Sequence, residues 1–217
     1  ILFNGEEISS YSDTRIRSIR GDRISMIFQD PMMTLNPVFT IGTQMVETLK
    51  AHRDISKKEA EKIALNKLRK VQIPSPEARL KQYPHELSGG MRQRIIIAIS
   101  LLTDPAIIIA DEPTTALDVT IQAEIMDLLQ ELCESGDMGL ILITHDLGVV
   151  SQVTEKIAVM YAGRIIESGP TDRVVNNPLH PYTRGLITSI PGGVVNPGEK
   201  LAQIPGMMPN LTSIPQG

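Results

Sequence analysis

Apolar and polar residues change their spacing several times along this chain, and each change marks an element. In "SKKEAEKIALNKLRKV" (56–71), Ala60, Ile63, Ala64, Leu68 and Val71 recur at helical spacing, and Ser56 and Glu59 stand at capping-box distance, so a helix begins after Ser56. "IQAEIMDLLQELCES" likewise sets Ile121, Ile125, Leu128, Leu129 and Leu132 on one helical face. The helical period vanishes in "AIIIAD" (106–111) and "GLILITHD" (139–146), short apolar runs without alternation, the pattern of strands buried on both faces of a parallel sheet. Strand, crossover helix, strand is the parallel unit of a doubly wound α/β sheet.

The flanking pattern is less regular. "ILFNGEEIS" reads as a strand end followed by a turn at Asn4 and Gly5, and "RISMIFQDP" (Arg23–Pro31) as a strand whose apolar residues run into Gln29. From there to about Leu102 the character is helical. "PSPEARLKQYPHELSGG" is punctuated by Pro74, Pro76 and Pro84, a loop-rich lead into a helix that starts near Ser88 and runs through "MRQRIIIAISLL". "DLGVVSQV" suits a short helix. "KIAVMYAGRIIESG" reads as two strands joined near Ala162 and Gly163, a hairpin at a sheet edge. Beyond Pro170 the composition shifts toward Pro, Gly and Asn, which marks an appended region.

Composition narrows the classes. With 41% hydrophobic and 21% charged residues the 217-residue chain is globular, large enough for one domain and an appendage. Trp is absent and aromatics are 3%, which argues against base stacking, and a formal charge of −4 argues against a duplex-binding surface. The longest apolar run, "IIIAISLL", is far below the ~18 residues of a membrane span. The opening residues carry neither the basic nor the apolar region of a signal peptide, and they lack an initiating Met. Cys133 has no disulfide partner and reads as a small hydrophobe, which fits a reducing compartment. The lysines of 56–71 are interleaved with Glu59 and Glu61 and form a solvated face.

Candidate chemistry starts at the end of "AIIIAD". Asp111 and Glu112 sit where an unpaired carboxylate is penalised by desolvation, so they need a cation, a hydrogen-bond network or an exposed strand end. In nucleotide hydrolysis an acid so placed serves Mg2+ and its neighbour positions the attacking water, here Asp111 and Glu112; both acids simply capping the next turn explains the pair equally. In "LSGGMRQR" (Leu87–Arg94), Ser88, Gly89 and Gly90 open a helix, so free N–H groups, a hydroxyl and the helix dipole converge on one point. Taken in isolation, that segment is better read as an ordinary Ser cap on a glycine-rich turn. His145 follows a strand at the carboxyl end of the sheet, where ligands bind in doubly wound folds. His52, His85 and His180 have no such placement, and "PHELS" is not a zinc-binding HExxH.

Order along the chain decides between these readings. Gln29, "LSGGMRQR", "IIIADEP", "TALD" and "LITHD" occur in the sequence and spacing of the ATP-binding cassette family, and the chain from about Phe3 to Gly169 resembles the nucleotide-binding subunit of an ABC transporter. The resemblance implies a P-loop NTPase-type α/β fold with a mostly parallel sheet, a helical subdomain and a C-terminal extension. By it, residues 1–29 and 104–169 form the catalytic core, 30–103 the helical subdomain and 170–217 the extension. It makes Gln29 the Q-loop glutamine, a ligand of Mg2+, and puts Ser88, Gly89 and Gly90 in the signature motif. Asp111 (Mg2+) and Glu112 are then the Walker B pair, Asp118 the D-loop aspartate, and His145 the switch histidine on the terminal phosphate. Met91 stands where many relatives have Gln. "DPMMTLNPVFTIG", "DEPTTALDVTIQAEI", "NPLHPYTRGLITSIPG" and "LAQIPGMMPN" are similar to the oligopeptide and dipeptide branch of bacterial importers. That branch implies ATP and Mg2+ as cofactors, a second ATPase subunit, transmembrane permeases, an extracytoplasmic solute-binding protein, no nucleic acid, and a peripheral place on the cytoplasmic face of the membrane. The solute, whether peptide, dipeptide or metal chelate, is set by those partners.

No GxxxxGK(S/T) occurs in the 217 residues. The resemblance places that phosphate-cradling loop (Walker A) ahead of "ILFNG", with the strand that feeds it, so a fragment truncated at both ends is expected. The missing strand is expected beside "AIIIAD", leaving an apolar edge exposed. Such a piece alone is expected neither to hydrolyse ATP nor to bind it usefully. The alternative is a non-enzymatic, degenerate cassette that only dimerises, which the intact Glu112 and His145 oppose.

Overall fold

A computed structural model describes residues 1–30, 34–115, 117–135, 138–189 and 204. Pro31, Ala116 and nearly all of "LAQIPGMMPN" lie outside the described residues. The chain forms two compact units, Ile1–Thr144 and His145–Gly217.

The first unit opens with an antiparallel hairpin of β1 (Leu2–Phe3) and β2 (Glu6–Glu7). Its turn residues Asn4 and Gly5 both take positive φ, 50° and 81°, the pair that a two-residue turn demands. Helix α1 (Asp13–Ile19), capped by Ser12, follows and buries no residue. The parallel sheet then takes β3 (Ile24–Ile27), β4 (Ile107–Asp111) and β5 (Gly139–Ile143) in that spatial order. Between β3 and β4 come α2 (Ile41–His52), α3 (Lys57–Lys70), the single turn α4 (Pro76–Arg79) and α5 (Gly89–Ser100). Between β4 and β5 runs α6 (Val119–Glu134).

Local signals place these helices. Ser56 Oγ accepts the Glu59 amide at 3.2 Å, and Ala60, Ala64, Leu68 and Val71 are buried as the periodicity requires. They pack with Ile41, Met45 and Leu49 of α2 and Ile95 and Ile97 of α5, all fully buried; each large side chain so placed contributes about 1.5–3 kcal/mol. Three contacts fasten this helical block to the segments that lead into β3 and β4. Thr103 Oγ1 donates to the Gly21 carbonyl at 2.7 Å, Arg53 donates to the Thr103 carbonyl at 2.7 Å, and Lys67 pairs with Asp104. Arg94 of α5 reaches both ways, donating to the Val71 carbonyl at 3.2 Å and to Glu124 of α6 at 2.9 Å. Cys133 is half-buried, and burial pushes its thiol up from the ordinary range, away from the reactive thiolate.

The α/β class and the strand–helix–strand unit agree with the sequence pattern; three details do not. First, β4 and β5 are not buried on both faces. The register sets Met26, Ile109 and Ile141 on one face and Ile27, Ala110 and Leu142 on the other. Ile27, Ile108 and Ala110 are buried, whereas Met26, Ile141 and Ile143 are 36%, 50% and 46% exposed. Second, no strand can join "AIIIAD" from outside, because β4 is paired with β3 on one side and β5 on the other; the open edges among the described residues belong to β3 and β5. Third, the hairpin read as a sheet edge is a separate two-stranded sheet in the second unit.

The amide of Gln93, in α5, is fully buried, and neither Nε2 nor Oε1 has a hydrogen-bond partner among the described residues. An unpaired buried amide costs free energy that an apolar side chain of similar size does not. Gln93→Leu is therefore expected to stabilise the fold by about 1 kcal/mol in denaturant titration. A loss of stability instead would mean that the amide is bonded in solution.

The second unit holds α7 (Leu147–Val153), the hairpin β6 (Lys156–Tyr161) and β7 (Arg164–Pro170), and helices α8 (Thr171–Asn176) and α9 (Pro181–Thr188). Ala162 and Gly163, at φ 47° and 77°, make the hairpin turn. Glu167 of β7 accepts the Leu179 and His180 amides at 2.8 and 3.1 Å, which fastens the loop before α9; chiefly the Leu179 amide holds its carboxyl below the usual range. Among the described residues no helix is long and apolar enough to cross a membrane.

Candidate functional site

The site is built at the carboxyl ends of the parallel strands. Two residues beyond Ile27 and Ala110, the last pair of β3 and β4, the Gln29 side chain meets Glu112. Glu112 extends the ladder by donating its amide to the Ile143 carbonyl at 2.8 Å, and then leaves the strand at a φ of 43°, a left-handed conformation rare for a non-glycine residue. The chain turns at once. Pro113 is buried and presets φ, and the Thr115 amide donates to the Glu112 carbonyl at 3.1 Å. Gln122 of α6 clamps the turn by donating its side-chain amide to the Thr114 carbonyl at 3.1 Å.

Two donors converge on one oxygen of Glu112. Gln29 Nε2 and Thr115 Oγ1 each stand 2.8 Å from Oε2. Hydrogen bonds to a charged acceptor are the stronger kind, and together they explain how a carboxylate is tolerated behind an apolar strand. Asp111, the last residue of β4, is half-buried opposite Ile143. Among the described residues no group of three or more His, Cys, Asp and Glu side chains gathers as a closed metal cage. Asp111 and the Gln29 amide oxygen nonetheless suit Mg2+, which takes one or two protein oxygens and fills its shell with water and phosphate.

A second cluster forms where α5 meets α6. Ser88 Oγ caps α5 by accepting the Met91 amide at 3.3 Å, so the plain cap anticipated for this serine is present. Asp118 caps α6 in the same way, accepting the Ile121 amide at 3.0 Å. The two glycines that open α5 have a packing reason. A Cβ on Gly90 would lie 2.9 Å from Ile121 Cγ2, and one on Gly89 would lie 3.6 Å from Leu117 Cδ2. The structure thus brings Gly89 and Gly90 against the start of α6, and Gln29 against Glu112. His145 is exposed and opens the second unit, two residues beyond Ile143 at the end of β5. Thr115 went unnoticed in the sequence. Its only signal there was a hydroxyl residue placed three positions after the acid, across a proline.

These features can be set beside known proteins. A family model described as ABC transporter matches residues 1–115, and one described as oligopeptide/dipeptide transporter, C-terminal region, matches 166–217. The oligopeptide transport ATP-binding protein OppD of Bacillus subtilis is 50% identical over all 217 residues, and the dipeptide transport ATP-binding protein DppD of the same organism is 54% identical over the same span. The chain spans 61% and 64% of the lengths of these two relatives. Among solved structures, the dimeric post-hydrolysis state of the ATP-binding cassette MJ0796 bound to ADP and Pi superposes with a TM-score of 0.68 at 29% identity, covering 78% of this chain and 72% of that one. For cbiO1 of Clostridium perfringens, part of the ABC transporter complex cbiONQ, the TM-score is 0.68 at 30% identity, with 81% and 67% covered. With the family model matching more than half of its length, this chain belongs to the ABC transporter family.

Proposed function

We propose that the chain is the greater part of an ATP-hydrolysing subunit that energises import of peptides or related solutes. The observation that carries this reading is the Glu112 carboxylate held at the end of β4 by the Gln29 amide, 2.8 Å away. A carboxylate oriented by fixed donors at a strand end is what general-base activation of a water requires. Glu112 takes that role. Asp111 and Gln29 hold Mg2+, which when bound neutralises phosphate charge. His145 holds the terminal phosphate.

Ser88, Gly89 and Gly90 present the first-turn amides of α5 to nucleotide held by a partner subunit, with Asp118 at the same boundary. Dimeric cassettes such as MJ0796 support that arrangement. The names of OppD and DppD support a peptide as the solute, passed on through transmembrane permeases from an extracytoplasmic binding protein. The subunit then works at the cytoplasmic face of the membrane. In the division of labour that follows, 1–29 with 104–169 does the chemistry, 30–103 carries the signature segment, and 170–217 is an added extension.

The reading is tested by phosphate release from the full-length subunit, assembled in its transporter, with Glu112 replaced by Gln. Turnover close to that of the unaltered subunit would refute it.

A further inference from the structure

The hydroxyl of Thr115 touches the carboxylate to which the proposed chemistry is assigned, and no role has been given to it. It lies 2.8 Å from Glu112 Oε2 and is partly buried. We infer that Thr115 is a positioning residue for ATP hydrolysis, its hydroxyl fixing the rotamer of Glu112 so that the carboxylate meets the attacking water in one orientation. This rests on Glu112 being the general base.

The geometry separates Thr115 from Gln29, the other donor to the same oxygen. Gln29 approaches from the segment that follows β3, 83 residues away in the chain, and is exposed. Its grip on Glu112 depends on how the segment after β3 is held. Thr115 reaches Glu112 within one turn. Its own amide donates to the Glu112 carbonyl at 3.1 Å, Pro113 presets the turn, and Gln122 pins the Thr114 carbonyl between them. The backbone that carries the hydroxyl is thus tied to the backbone of the residue whose side chain it orients. Were the Gln29 amide oxygen to serve Mg2+, the Thr115 contact, made from within the same turn, would not depend on it and would still direct the carboxylate. Misdirection of a base by a fraction of an ångström is enough to slow a proton transfer without weakening substrate binding.

The test uses the full-length subunit assembled in its transporter. Thr115→Val keeps the shape and removes the donor; Thr115→Ser keeps the donor and removes the methyl group. The expected result is a kcat about tenfold or more below the unaltered subunit for Thr115→Val, a KM for ATP within about twofold, and a kcat near the unaltered value for Thr115→Ser. An unchanged kcat for Thr115→Val overturns the proposal, and so does an equal loss in both variants, because Thr115→Ser keeps the donor and its failure would show that the hydroxyl is not what directs the carboxylate. A raised KM with unchanged kcat overturns it too, by assigning Thr115 to binding. Glu112→Gln run in parallel separates the two readings: if it keeps its turnover, the assignment of the base has failed, whereas a dead Glu112→Gln beside a fully active Thr115→Val removes Thr115 alone.

Discussion

Glu112→Gln in the full-length subunit is expected to lower ATP turnover by about a thousandfold while nucleotide affinity stays within a few-fold. The substituted amide fills the same volume, and its oxygen can still accept from Gln29 Nε2 and Thr115 Oγ1, the two donors at 2.8 Å. What it loses is the ability to accept a proton from water and the charge that polarises it. Structure is therefore retained and chemistry removed. Phosphate release measured beside equilibrium nucleotide binding distinguishes this outcome from simple unfolding, which would abolish both. Turnover within tenfold of the unaltered subunit would show that another group serves as base.

The second large effect concerns stability and follows from the unequal faces of the parallel sheet. Ile108→Ala is expected to cost about 3 kcal/mol, because the side chain is fully buried on the central strand and its removal leaves a cavity that strands on both sides prevent from collapsing. Ile141→Ala, on β5, is expected to cost less than about 1 kcal/mol, since half of that side chain already faces solvent. Urea titrations of this chain carrying each change read the difference directly. Similar losses for the two would mean that both faces are covered in solution.

How much of this was legible beforehand depended on the range over which each signal acts. Helices α3 and α5 begin where Ser56 and Ser88 stand, because a cap is a contact between residues three apart and can be read from a line of text. Helix α1 escaped notice for the opposite reason: it buries no residue, so it carries no apolar stripe. The Ile-rich strands looked doubly buried because isoleucine occupies both faces of β4, and period alone cannot separate a covered face from an open one when the two are written in the same residue type. Gln29 and Glu112 could each be picked out from their positions after strands. Their meeting follows from the parallel register of β3 on β4, which relates segments more than eighty residues apart. Thr115 was invisible, since hydroxyl residues are common in turns and only the folded chain shows which carboxylate this one faces.

The close approach of α5 to α6 binds two positions into a single choice. With 2.9 Å between Ile121 Cγ2 and the place a Cβ on residue 90 would take, the glycine and the branched side chain are the two halves of one steric agreement. Enlarging residue 90 is tolerable only if residue 121 shrinks in the same step, so among relatives with this helix spacing the pair should drift together: an alanine at the first position accompanied by a smaller side chain at the second.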